Sequence, residues 1–253
     1  MKYTPLIVAI ITILLTSLVS IPGSPFLIGG MTQADISNMF ATSVTPAGLT
    51  FAIWSVIYLF WILAGLVLSG CLVTNFTKKH FPKLVPYFID SHTSKKTMTT
   101  FSLGIALTAV WLLPWGNLYI GTALIVMFAI LGLLVYTFLH TRKSSVIVRA
   151  SVDLFFAWIM MATALNITVW IRYMGWSLGS PSDIYYAIGA YGALLLVVSW
   201  FQCKYRTYII SLVFIWTMIG VWLAHPLLEQ RVAVDIYTVV ILINMIRSYL
   251  KAR

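Results

Sequence analysis

The chain is poor in charge and above all in acid: six Asp and Glu stand against 16 Lys and Arg in 253 residues, and the four charged types together make up 9%. A soluble domain carries about 25% of them. With 61% hydrophobic residues and a mean hydropathy of +0.97, the apolar surface is too large for a soluble fold to hide, so the chain belongs in lipid. Cysteine is nearly absent. Cys71 and Cys203 support neither a disulfide framework nor a metal-ligand spacing, and both read as inert packing residues. There is no HExxH, no GxSxG, no phosphate-binding glycine loop and no Cys/His cluster, so catalysis by an ordinary nucleophile or metal has no visible support. The apolar stretches are almost bare of carboxylate, His and Lys, which argues against an ion-coupled transporter or a proton pump. No Lys lies deep enough to anchor a retinal Schiff base.

What the chain does have is long apolar runs. A window of roughly 20 residues, the length that crosses the hydrocarbon, finds about eight of them. They fall near 4–22, 47–73, 97–115, 118–140, 150–173, 182–202, 206–224 and 232–250, and the expected fold is an all-α polytopic membrane protein. Pro114 and Gly116 mark a tight turn between the third and fourth spans, or a kink in one broken helix. Lys2 followed by an apolar run and Ser20-Ile21-Pro22-Gly23 resembles a signal peptide, but we expect a retained helix.

The basic residues fall in every second gap. Lys2 precedes the first span; Lys78, Lys79, Lys83, Lys95 and Lys96 follow the second; Arg142, Lys143 and Arg149 the fourth; Lys204 and Arg206 the sixth; Arg247, Lys251 and Arg253 end the chain. The alternate gaps hold only Arg172 and Arg231. The positive-inside rule then puts both termini in the cytoplasm. The net charge of +10 is explained by insertion; it is scattered over loop ends, unlike the continuous soluble patch that nucleic acid needs. The 75–96 stretch also suits contact with anionic lipid head groups. Asp153 and Asp235 follow Arg149 and Arg231 by four residues, which predicts exposed pairs at helix starts.

Ten tryptophans supply the most specific pattern. Trp54, Tyr58 and Trp61 share one face of the second span, which opens with Thr45 as N-cap ahead of Pro46. Trp158, Ala162, Asn166 and Trp170 make a stripe on the fifth span. Asn166 should point into the bundle, because an amide facing lipid is costly. Trp111 and Trp115 lie one turn apart on the third span. Together these rings predict a site in the outer half of the bundle beneath the 21–46 loop. Trp176 and Trp200 fit an interfacial aromatic belt, and Trp115 and Trp170 fit belt and pocket equally well.

Two of these segments resemble the translocator protein or tryptophan-rich sensory protein (TspO/MBR) family. Thr45-Pro46-Ala47-Gly48 with Trp54 is similar to its TPPGxxxGxxW motif, with Ala47 for the second proline and the tryptophan one residue early. Residues 155–170 resemble its fifth-helix PYxxWxxFAxxLNWxIW pattern and keep Trp158, Ala162, Leu165, Asn166 and Trp170. The resemblance covers about residues 4 to 173, so 1–173 reads as a five-helix TspO-like bundle and 174–253 as three additional helices of the kind found in a longer bacterial branch. It implies a pocket for tetrapyrroles, sterols and other flat apolar ligands, capped by the loop after the first helix. By motif, Trp54 matches the pocket tryptophan of the second helix, and Asn166 the asparagine of the fifth. Ile167 stands where the family has another tryptophan, so light-dependent porphyrin breakdown is not implied.

The reading that follows is a binding or sensory protein of a bacterial inner membrane. Its ligand is flat and hydrophobic, porphyrin-like, haem-like or sterol-like, and is lined by Trp54, Tyr58, Trp61, Trp111, Trp115, Trp158, Asn166 and Trp170. No covalent cofactor, catalytic residue, metal or nucleic acid is expected; the bilayer, the small molecule and a homodimer are the expected partners. A transporter of a small apolar or zwitterionic solute is the alternative, working between the first five helices and the last three, with Gly189, Gly192 and Ala193 allowing sliding contact. A structural subunit beside pigment or respiratory proteins comes next, and an enzyme last.

Overall fold

The computed structural model describes residues 2–176 and 182–250, and among them all regular structure is helical. Ten α-helices follow in order: α1 (Thr4–Leu18), α2 (Gln33–Met39), α3 (Ile53–Ser69), α4 (Asn75–His80), α5 (Lys95–Gly116), α6 (Ile120–His140), α7 (Val146–Tyr173), α8 (Ser182–Tyr205), α9 (Tyr208–Ala224) and α10 (Leu228–Leu250). Counting the 3₁₀ turn Gly48–Ala52 with α3, six of them are long and apolar enough to cross a membrane, and α1 and α9 are shorter apolar helices. The chain is an integral membrane protein. Side chains such as Ile125, Leu196 and Leu228 are at least 70% exposed, which water would penalise and acyl chains accept.

The eight predicted segments recur as helices with shifted ends, six of them long enough to be candidate spans. The first stops at Leu18 rather than residue 22, because the backbone turns before Pro22 and Gly23. The third and fourth are separate helices: α5 runs through Pro114 to Gly116, and Leu118, at φ 60°, turns the chain into α6. Lys251 and Arg253, counted above in the charge pattern, lie outside the described residues.

The helices form two compact units, Met1–Gln33 with Ile53–Phe156 and Ala34–Ala52 with Ala157–Arg253. α7 contributes its first turns to one and the remainder to the other. These packing units follow other lines than the 1–173 and 174–253 division, which rests on family likeness.

In the first unit α5 and α6 form an antiparallel hairpin, and α1 packs on both α3 and α5. Gly65 lets α1 and α3 approach closely, since a Cβ there would stand 2.7 Å from the Leu6 Cα. The loop from α3 to α5 is ordered by Asp90. One of its carboxylate oxygens accepts the backbone N–H groups of His92 and Thr93, at 3.0 and 2.9 Å, and the other the Ser145 N–H at 3.0 Å. Asp153 differs from its expected role. It is 2% exposed and takes a forked bond from the Arg142 guanidinium, which also stacks 3.7 Å from the Phe138 ring centroid. Arg142 at the end of α6 reaches Asp153 across the turn into α7, and a buried carboxylate needs such a partner more than an exposed one does. Asp235 has no bond from Arg231, whose Nε donates to the His225 carbonyl at 3.0 Å and whose guanidinium lies over Trp222.

In the second unit α8, α9 and α10 pack against one another, and α9 packs on the 3₁₀ turn at Gly48–Ala52. Gly192 meets the Tyr237 hydroxyl, 3.2 Å from where a Cβ would sit, and that hydroxyl donates to the Ile188 carbonyl at 2.8 Å. The small residue thus makes room for a fixed bond.

Candidate functional site

The expected site residues fall into separate groups. In the first unit the i, i+4, i+7 face of α3 forms as the spacing predicts. Tyr58 and Trp61 have ring centroids 5.3 Å apart, Trp54 stands 5.7 Å from Tyr58, and Phe155 closes on Trp61 edge-on at 4.8 Å. The rings fill the space with one another: Trp61 is wholly buried, and the Tyr58 hydroxyl donates to Thr16 Oγ1 at 2.9 Å. Trp111 and Trp115 stack at 4.9 Å on α5, 8% and 3% exposed.

Trp158, Asn166 and Trp170 belong to the second unit. Trp158 is buried and edge-on to Phe51 at 6.1 Å. Asn166 is buried as expected, 4% exposed, but its Nδ2 donates to the Ala162 carbonyl one turn back, at 2.8 Å. Its Oδ1 has no hydrogen-bond partner among the described residues. Trp170 is 38% exposed.

A cavity of about 280 Å³ opens in this unit. Trp158, Ala162 and Leu165 of α7 form one wall, Tyr186, Ala190, Tyr191 and Leu194 of α8 another, and Thr217 of α9 with Val44 and Pro46 complete it. Of the eight residues expected at the site, Trp158 lines it. The lining holds no charged side chain and no His. Its hydroxyls are mostly spent: Thr168 donates to the Leu165 carbonyl at 2.8 Å, Thr217 to the Val213 carbonyl at 3.0 Å and Tyr191 to the Val44 carbonyl. The Tyr186 hydroxyl has no such bond among the described residues.

Val44 and Pro46 belong to a strap, residues 43–50, that the last three helices hold bond by bond. Gln230 donates to the Ser43 carbonyl, Tyr191 to that of Val44 and His225 Nε2 to that of Thr45 at 2.9 Å. The Ala47 N–H donates to the Gly220 carbonyl, and Trp216 Nε1 to the Thr50 carbonyl, each at 2.9 Å. Such buried carbonyls need partners in a membrane, where no water can supply one. The same bonds revise the role predicted for Thr45. Its Oγ1 accepts the Thr42 N–H at 2.9 Å instead of capping a helix, and helical structure starts only at Gly48. Carbonyls already committed to α8–α10 keep 43–47 out of the helix. Burial lowers the pKa of His225, against a smaller upward pull from the Thr45 carbonyl, so the ring is held neutral.

A family model described as TSPO-like protein matches residues 6–249. The chain belongs to the TSPO-like protein family. The match extends through α10, so the strap and the helices that hold it both lie within the family's own extent. No curated protein and no solved structure gives a match.

The receptor reading missed α8 as a wall, which only the transporter alternative drew on through Ala193, and neither reading foresaw α9 and α10 as anchors. No local signal pointed there: Gln230 stands between Glu229 and Arg231 in the sequence, and its burial, 2% exposed, is apparent only in the fold.

Proposed function

We propose that this TSPO-like membrane protein binds a flat hydrophobic ligand, of porphyrin or sterol-like shape, and acts as a receptor or sensor for it. The observation that carries this reading is the apolar cavity between α7, α8, α9 and the strap. Its volume of about 280 Å³ falls just below the range for small-molecule sites, about 300–1,000 Å³. It therefore suits a compact ring system, or one edge of a larger macrocycle stacked on Trp158 and Tyr191. Without a cation in the wall, the carboxylates of a porphyrin would have to stay at the mouth, so a neutral ring is the better fit. The Tyr186 hydroxyl offers one polar contact. In this reading α1 and α9 join the six long helices to give eight spans with both termini in the cytoplasm, as the distribution of Lys and Arg favours. The aromatic groups at Trp54–Trp61 and Trp111–Trp115 then support the bundle, or form a second binding surface.

The test is tryptophan quenching on titration with protoporphyrin and with a neutral sterol, in detergent micelles. Ala162→Leu with Ala190→Leu fills the cavity and should weaken binding at least tenfold, while Trp54→Ala leaves it within about twofold. The reverse ranking would move the site to the α3 aromatic face. Unchanged affinity in all variants would reject both.

The transporter reading keeps one favourable observation: the cavity is walled by α7 and by two of the last three helices, with the small residues Ala190 and Ala193 facing it. Solute flux into proteoliposomes separates the two, since a receptor binds without transport.

A further inference from the structure

A second cavity, of about 200 Å³, lies in the first unit and shares no residue with the first. It is built where α1 and α5 begin and α3 ends. Lys2 and Lys95 stand at its rim, Thr4 adds a hydroxyl, that of Thr99 donates to the Lys95 carbonyl at 3.0 Å, and Leu68, Met98 and Ser102 form its inner part. Lys95, Thr99 and Ser102 follow at i, i+4 and i+7 along one face of α5. The cavity therefore runs about 10 Å down the helix axis, from an exposed lysine to the buried Ser102.

The charged side chains here are of one sign. Neither α1 nor α5 has an acid in its first turn, so their positive ends bring no carboxylate to the rim; the C-terminal end of α3, beside the Lys2 ammonium, contributes a partial negative charge. No carboxylate among the described residues pairs with Lys2 or Lys95; Asp90, the nearest acid in sequence to Lys95, is committed to Thr93 and Ser145. The fold also makes room for this arrangement. Gly70 ends α3 at φ 70°, and a Cβ there would lie 3.2 Å from the Lys2 ammonium. Lys2 and Lys95 thus bring two like charges to the rim of one hollow, which an anion seated there would offset.

We propose that this cavity binds a phosphate group, and that the group belongs to the headgroup of an anionic phospholipid. Lysines are point-charge binders of phosphate, and basic pockets between membrane helices are suited to acidic lipid head groups. The apolar depth decides between sources. Leu68 and Met98 would accept the start of an acyl chain, whereas a free phosphate would leave that part empty. The site stands independently of the ligand proposed for the α7–α9 cavity.

The test is native mass spectrometry of the full chain released from nanodiscs containing phosphatidylglycerol and phosphatidylcholine, with inorganic phosphate in a parallel arm. Wild-type protein should retain phosphatidylglycerol in preference to phosphatidylcholine. Lys2→Gln and Lys95→Gln should each reduce that preference about 5-fold, and the pair about 25-fold. Lys2→Arg with Lys95→Arg should keep it, and Lys78→Gln with Lys79→Gln, an equal loss of charge in the 75–96 segment, should leave it intact. Equal loss in the Lys78/Lys79 variant would mean diffuse attraction to the bilayer and overturn the site, as would the absence of any preference in the wild type. Displacement of the lipid by millimolar inorganic phosphate would overturn the assignment to a headgroup.

Discussion

Gly220→Ala tests whether the strap is fixed by shape as well as by hydrogen bonds. The added methyl would overlap Thr50 Oγ1 and would lie 3.0 Å from Thr50 Cβ and 3.1 Å from Pro46 Cβ. The hydroxyl can rotate away, but the two carbons cannot. Carbon atoms pack at about 3.5–4.0 Å, so the strap must retreat by about half an ångström or distort α9. Overpacking of this size costs about 1–3 kcal/mol. The displacement also stretches the Ala47-to-Gly220 and Trp216-to-Thr50 bonds, each worth about 0.5–1.5 kcal/mol. Against this, alanine gains at most about 1 kcal/mol of helix propensity. A net loss of about 2 kcal/mol is expected, and it should be local: amide exchange at Ala47 and Thr50 should speed up about 30-fold, read by hydrogen exchange with mass spectrometry. Thr50→Ala removes part of the overlap together with a buried hydroxyl that has no partner. Combined with Gly220→Ala, it should recover at least 0.5 kcal/mol beyond additivity. Exchange at 42–50 that does not differ between wild type and Gly220→Ala would refute the reasoning.

Two further predictions concern charge. Arg142→Met removes the guanidinium from the buried Asp153 and should cost about 3–5 kcal/mol in denaturant titrations, with most of it regained in Arg142→Met/Asp153→Leu; a single variant within 1 kcal/mol of wild type would place Asp153 in a wetter site than its burial indicates. For His225, whose pKa in the fold lies below the ordinary 6.5, the unfolded chain binds the proton first as pH falls. Its contribution is therefore complete above about pH 6.5 and declines below it, towards the lower folded-state value. Thermal unfolding between pH 8 and 5 should show a steeper acid loss in wild type than in His225→Gln, and parallel profiles would exclude His225 as the group responsible.

The parts of this fold that were legible in the sequence are those set by short-range periodicity. The face of Trp54, Tyr58 and Trp61 follows from spacing alone, and so does the burial of Asn166, because a lone amide in an apolar helix has nowhere else to go. Spans were legible from hydropathy, with their ends misplaced where a turn such as Val19–Gly23 is itself apolar. Partners chosen across sequence distance were not legible. Asp153 lies four residues from Arg149 and eleven from Arg142, and only the tertiary turn between α6 and α7 brings the second into reach. His225, Gln230 and Trp216 lie about 170–190 residues from the carbonyls they serve, and no local pattern links a donor to an acceptor at that range.

The same distinction bears on why the expected pocket and the observed cavity differ. Motifs resembling the TspO/MBR family occur at 45–54 and 155–170, and a reading built on them puts ligand contacts on those two segments and treats the last helices as additions. Yet the strap leaves the carbonyls of Ser43, Val44 and Thr45 without a backbone donor of its own, since residues 43–47 are not helical, and only further along does the Thr50 N–H meet the Ala47 carbonyl at 2.9 Å. In lipid those carbonyls must be served by other elements. The donors come from α8, α9 and the start of α10, and once those helices are in place the face of α7 carrying Trp158, Ala162 and Leu165 has a wall opposite it. The cavity is thus a consequence of satisfying the strap. If the cavity takes the proposed ligand, the helices that hold residues 43–50 also set its shape, so specificity should respond to α8 as strongly as to the motif tryptophans.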